Sequence, residues 1–166
     1  IGVRLVGSEM CIRDSLYSIR NLLWKIFYFI VHYLPQKGQH NMLFGILGVD
    51  SMNLSDVAQK VAEDIISNES EEGILLCWTG TGVSLAANKV PGVRAALCGD
   101  AETSRGARLW NKANVLCLSI RNTTEAMAEE ILDVWFATKY IANSEDDFCL
   151  EQLLNIEDKY LTVKTK

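Results

Sequence analysis

Residues 73–89 read GILLCWTGTGVSLAANK: an apolar run breaks at Cys77-Trp78, passes through Thr79-Gly80-Thr81-Gly82 and continues as a helix-like segment. A short apolar run flanked by glycine predicts a buried strand over 73–77, followed by a short helix over 83–89. The alternation continues outward, with a strand over 93–98, a helix over 101–110, a strand over 115–119 and a long helix over 125–140 capped by Thr123 or Thr124. Upstream, MLFGILGV (42–49) predicts a further strand, and DVAQKVAEDII (56–66) a helix with Val57, Val61 and Ile65 on one face.

Each predicted strand is almost continuously apolar, as required when helices cover both faces of a parallel sheet. The fold class is therefore α/β: a Rossmann-like, doubly wound parallel sheet of four to five strands in a three-layer α/β/α arrangement. With 166 residues, 49% hydrophobic and 22% charged, the chain has the material for one domain with a full core. An acidic linker from 143 and a terminal helix over 148–160 follow the domain, which is assigned to 16–142.

Composition excludes several classes. The formal charge of -5 and the scattered Lys and Arg argue against a nucleic-acid surface. The five cysteines are odd in number and show no C-x-x-C, which fits reduced thiols in a cytoplasmic protein. Only His32 and His40 are available as imidazole ligands, with no metal-site spacing, so no structural zinc site is expected. Residues 16–34 are apolar enough to suggest a membrane span, but Arg20, Lys25 and His32 interrupt them, and a core-facing helix ending before Pro35 is the better reading. Residues 5–15, LVGSEMCIRDS, match the translation of a transposon-end sequencing adapter. They are read as a cloning or assembly scar without functional weight, with the natural gene entering near Leu16.

In an open parallel sheet, ligands bind beyond the carboxyl ends of the strands, and Cys77 is expected at such an end. Gly80 and Gly82 permit a tight turn that aims amide N–H groups into one small space, suited to a phosphate or a developing oxyanion. The same amides and the following helix start would favour a thiolate. The turn alone also reads as a plain strand-to-helix connection, and it matches neither G-x-G-x-x-G nor a Walker loop.

The longer stretch 73–121 resembles the type B ribose-5-phosphate isomerase family, which includes the galactose-6-phosphate isomerase subunits. The resemblance rests on Cys77, Thr79, Gly80, Gly82, Ser84, the Ala86-Ala87-Asn88-Lys89 run, Gly92, Arg94-Ala95-Ala96, Asn111 and Asn114-Val115-Leu116. It implies aldose–ketose isomerisation of a sugar phosphate, without a metal or organic cofactor, by a homodimer or homotetramer whose site is completed across subunits. It further implies that Cys77 removes the C2 proton, that Thr79 assists, and that Trp78, Gly80, Thr81, Gly82, Ser84 and Asn111 line the substrate site. A non-catalytic or partner-dependent sugar-phosphate-binding subunit is the alternative.

The chain departs from the family pattern at four places. Trp78 replaces the glycine after the cysteine, and either reshapes the sugar pocket or packs under a neighbouring loop. Trp110 replaces the histidine assigned to ring opening. The C-terminal phosphate-gripping arginines are missing, which leaves loop amides and Lys112 or Arg105 for the phosphate. The first strand's Asp-His pair has no counterpart; either the chain folds poorly without that interior strand, or residues 1–6 fill its place inside the sheet.

Overall fold

A computed structural model describes residues 4–8, 29–30, 32–33, 42–47 and 54–161. Five strands form one parallel sheet in the order β1-β2-β3-β5-β4: β1 Arg4–Ser8, β2 Met42–Leu47, β3 Glu72–Cys77, β4 Ala95–Leu97 and β5 Val115–Ser119. The helices are α1 Leu54–Ile66, α2 Thr81–Ala87, α3 Ala101–Leu109, α4 Glu125–Ala137 and α5 Ser144–Leu161.

Alternation along β3 and β5 divides the core into two layers, because successive side chains of a strand point to opposite faces. Leu75, Cys77, Val115 and Cys117 face α1 and α2, packing on Val57, Val61, Ile65, Val83 and Ala87. Ile74, Leu76, Leu116 and Leu118 face α3 and α4, packing on Ala107, Ile131, Leu132 and Trp135. Both faces are covered, so the strands carry no polar alternation. Complete burial of each such Leu or Ile contributes roughly 1.5–3 kcal/mol relative to exposure.

Local chemistry sets the helix ends. The Asp100 carboxylate accepts from Thr103 N at 2.7 Å and opens α3; this bond holds its pKa below the usual carboxylate value. Thr124 accepts from Met127 N at 3.2 Å and opens α4. Asn143 Oδ1 accepts from Asp146 N at 2.9 Å at the head of α5. The acidic stretch expected to be a linker is therefore the first turn of α5, where Glu145, Asp146 and Asp147 complement the positive end of the helix dipole.

The first strand differs from expectation. Residues 1–3 lie outside the described residues; Arg4–Ser8 joins the sheet and, among the described residues, lies at its edge paired with β2, while β2 lies beside β3. An interior place for this segment is thus ruled out: the ladder position next to β3 is already filled by Met42–Leu47. Of residues 16–34, the described helical residues are Phe29, Ile30, His32 and Tyr33. Ile30 and Tyr33 are buried against the α3/α4 layer, and the Tyr33 hydroxyl donates to Asp133 Oδ1 at 2.6 Å. Among the described residues, no helix is long and apolar enough to cross a membrane.

Candidate active site

Cys77 is the last residue of β3 and pairs with Ser119, the last residue of β5, at the carboxyl end of the sheet. Its side chain lies in the α1/α2 layer and is 5% exposed, against 0% for Cys98 and Cys117. Burial drives those other two thiols upward: Cys98 to about 12, with the Asp100 charge adding to the effect, and Cys117 also well above the ordinary thiol value. Cys149 on α5 is exposed, and Cys11 lies outside the described residues.

The turn after Cys77 is held by β5. The Trp78 carbonyl accepts from Ser119 Oγ at 3.0 Å and from Arg121 N at 3.0 Å, and Ile120 N donates to the Cys77 carbonyl at 3.0 Å. Trp78 itself is half-buried. Gly80 caps α2 with φ 76, in the left-handed region, and a Cβ there would lie 2.4 Å from Leu97 Cδ1 and 3.2 Å from the Leu118 carbonyl. Only glycine satisfies both constraints. No side chain caps α2, so the amides of Thr81, Gly82 and Val83 enter the helix without intrahelical partners. The Thr79 and Thr81 hydroxyls lie 2.7 Å apart on the exposed side of this turn.

Several residues that carry the family pattern serve the scaffold. Ser84 Oγ donates to the Ala95 carbonyl at 3.4 Å. Asn88 clasps the start of β4 twice, donating to Ala95 O and accepting from Ala95 N, both at 2.8 Å. Asn114 Oδ1 accepts from Arg94 N at 2.8 Å while its Nδ2 donates to Gly92 O at 3.1 Å.

Asn111 lies in the turn between α3 and β5, exposed, at the amino end of the strands. There it lines a cavity of about 560 Å³ with Asn88, Arg94, Lys112 and the apolar face of α5. Cys77 is at the opposite end; β5 alone separates the two ends by roughly 13 Å at ~3.3 Å per residue. This separation follows from the order of elements: a residue just before a parallel strand sits at its amino end, and a residue just after one sits at its carboxyl end. The cations proposed for a phosphate are engaged elsewhere. Arg105 pairs with Glu102 at 2.9 Å and lies over Trp110 at 5.8 Å, and Lys112 Nζ lies 5.5 Å from the Tyr140 ring. Trp110 is 51% exposed and rests on Gly106. Arg121, exposed and two residues beyond β5, is a cation at the Cys77 end that the sequence reading passed over. Among the described residues, no group of His, Cys, Asp and Glu is placed to hold a metal ion.

Comparison with known proteins agrees with this architecture. The family model for ribose/galactose isomerase matches residues 25–149. Galactose-6-phosphate isomerase subunit LacB of Clostridium acetobutylicum is 36% identical over 117 residues, covering 70% of this chain and 68% of the relative. YwlF of Bacillus subtilis is 39% identical over 93 residues, 56% of this chain and 62% of that protein, so the chain spans less than two thirds of its length. The structure of Clostridium thermocellum ribose-5-phosphate isomerase B superposes with a TM-score of 0.76 at 30% identity, covering 96% of this chain and 99% of the other. With the matched region running through the whole β3-to-α4 scaffold, the chain belongs to the ribose/galactose isomerase family of sugar-phosphate isomerases.

Proposed function

We propose that this protein interconverts an aldose phosphate and a ketose phosphate, with Cys77 as the base. The observation that carries the reading is the position of Cys77 at the carboxyl end of a central strand, one short turn before a helix start that Gly80 bends and no side chain caps. In the open-chain aldose, the Cys77 thiolate takes the proton from C2, and the C–H electron pair forms the C1=C2 bond of an enediolate. The negative charge moves to O1, where the amides of the 79–82 turn stabilise it. The thiol returns its proton to C1, and the O2 proton passes to O1. The paired Thr79 and Thr81 hydroxyls are suited to relay that transfer. C1 is reduced and C2 oxidised within the same sugar, so no external oxidant or reductant is needed. Cys77 is 5% exposed, so its sulfur meets a sugar carbon only after the crest of the turn opens.

Asn111, at the far end of the sheet, reaches the same sugar only from a second chain, which supports a homodimer or homotetramer with shared sites. Arg121 supplies positive charge at the Cys77 end for the phosphate. Trp110 cannot donate a proton for ring opening, and this favours a second reading, a subunit that depends on a different partner chain for that acid. Incubating the purified protein with a panel of pentose and hexose phosphates separates the two. Turnover by this chain alone supports the first reading, binding without turnover supports the second, and neither binding nor turnover contradicts both.

A further inference from the structure

The most constrained polar cluster outside the Cys77 turn lies at the other end of the sheet. Arg108, in the last turn of α3, bonds Glu72 at the start of β3 through one terminal nitrogen and donates to the Ala113 carbonyl at 2.5 Å through the other. Glu72 also accepts from the indole N–H of the fully buried Trp135 at 2.5 Å, and the Arg108 guanidinium lies 4.9 Å over that ring. Among the described residues, Arg108 Nε is buried without a hydrogen-bond partner. The guanidinium is thus aimed by its two terminal nitrogens, at the cost of leaving a donor unmet.

The recipient of this aim is the turn that carries Asn111. Arg94 Nε donates to the Lys112 carbonyl at 2.9 Å, so consecutive carbonyls, those of Lys112 and Ala113, are each pinned by an arginine. Ala113 N donates back to Ala107 O at 3.0 Å. Between these pins, Lys112 is held at φ 48, a left-handed conformation that costs a non-glycine residue of order 1–3 kcal/mol and persists only when its surroundings impose it.

We infer that Arg108, locked by Glu72 and Trp135, is a positioning residue that fixes the 110–114 turn and through it presents Asn111 to the substrate. The presentation to substrate rests on the proposed isomerase reading; the fixing of the turn does not. Lysine cannot reproduce the fork that spans a carboxylate and a carbonyl, so Arg108→Lys keeps the charge and loses one arm.

Two measurements on the full-length protein test the inference. In hydrogen exchange, Arg108→Lys and, independently, Arg94→Lys accelerate the Ala113 amide by about tenfold or more while β3 and β5 amides keep their protection. Acceleration spread evenly through the sheet, or none at the turn, overturns the assignment and needs no substrate to be read. In a double-mutant cycle, Arg108→Lys lowers kcat/KM by about tenfold in the wild-type background and has little further effect in Asn111→Ala. An equal loss in both backgrounds makes Arg108 merely structural. Absence of turnover in the wild type counts against the isomerase reading alone, and the exchange result then decides the role of Arg108 in the turn.

Discussion

Ser119 and Cys77 face each other across the last rung of the β3–β5 ladder, and the Ser119 hydroxyl donates to the carbonyl of Trp78, the residue after the cysteine. One side chain on β5 thereby holds the first peptide of the turn that follows Cys77. Ser119→Ala removes a partly buried hydrogen bond worth about 0.5–1.5 kcal/mol, although Arg121 N still serves the same carbonyl. The expected outcome is a small drop in denaturant midpoint accompanied by a larger proportional fall in kcat than in substrate affinity, read by chemical denaturation and steady-state kinetics.

Gly80→Ala acts through backbone and contact together. The left-handed φ costs a non-glycine residue about 1–3 kcal/mol, and the added methyl meets Leu97 and the Leu118 carbonyl. The variant is expected to unfold at lower denaturant and to lose turnover beyond what its stability loss explains. Wild-type kinetics in a folded Gly80→Ala protein would show that the turn geometry is irrelevant to the reaction.

The cysteines should separate by reactivity. At pH 8, a thiol pushed up to about 12 is ionised to roughly one part in 10,000, so Cys98 resists iodoacetamide until the protein unfolds. Cys117, raised further by burial, resists equally. Exposed Cys149 reacts first, and Cys77 reacts more slowly. A bound sugar phosphate protects Cys77 alone, which peptide mass spectrometry can resolve residue by residue.

Glu72 gives stability a pH signature. Burial raises its carboxyl above the ordinary 4.5, with Arg108 and Trp135 opposing the rise, so the folded state binds this proton more tightly than the unfolded chain does. Its stabilising contribution is complete below about 4.5 and is lost as pH rises through the elevated folded value. The stability of wild type relative to Glu72→Gln should therefore decline with rising pH in that window, as measured by urea denaturation at several pH values.

The scaffold from β3 to α4 was legible because its strands are unbroken apolar runs and its helices carry caps. Thr124 opens α4 where a capping threonine was expected, and β5 occupies Val115–Ser119 as read. Boundaries moved where backbone geometry overrides composition. α2 begins at Thr81 because Gly80 itself serves as the left-handed cap, and α4 stops at Ala137 because Thr138 turns extended. The placement of Cys77 at the carboxyl end of β3 was legible from the apolar run that it ends. That Asn88, Arg94 and Asn114 are clasps for β4 and β5 depends on contacts between segments distant in sequence, which no local spacing encodes. The Glu72–Arg108 pair was missed for the same reason: its partners are 36 residues apart.

The most direct test of the account is solvent deuterium incorporation at C1 of the ketose phosphate formed from an aldose phosphate, compared between wild type and Cys77→Ala. The account predicts incorporation by the wild type and none by a folded Cys77→Ala protein that still binds the sugar phosphate. Undiminished incorporation in that variant would contradict it, because the proton would then be leaving to some other base.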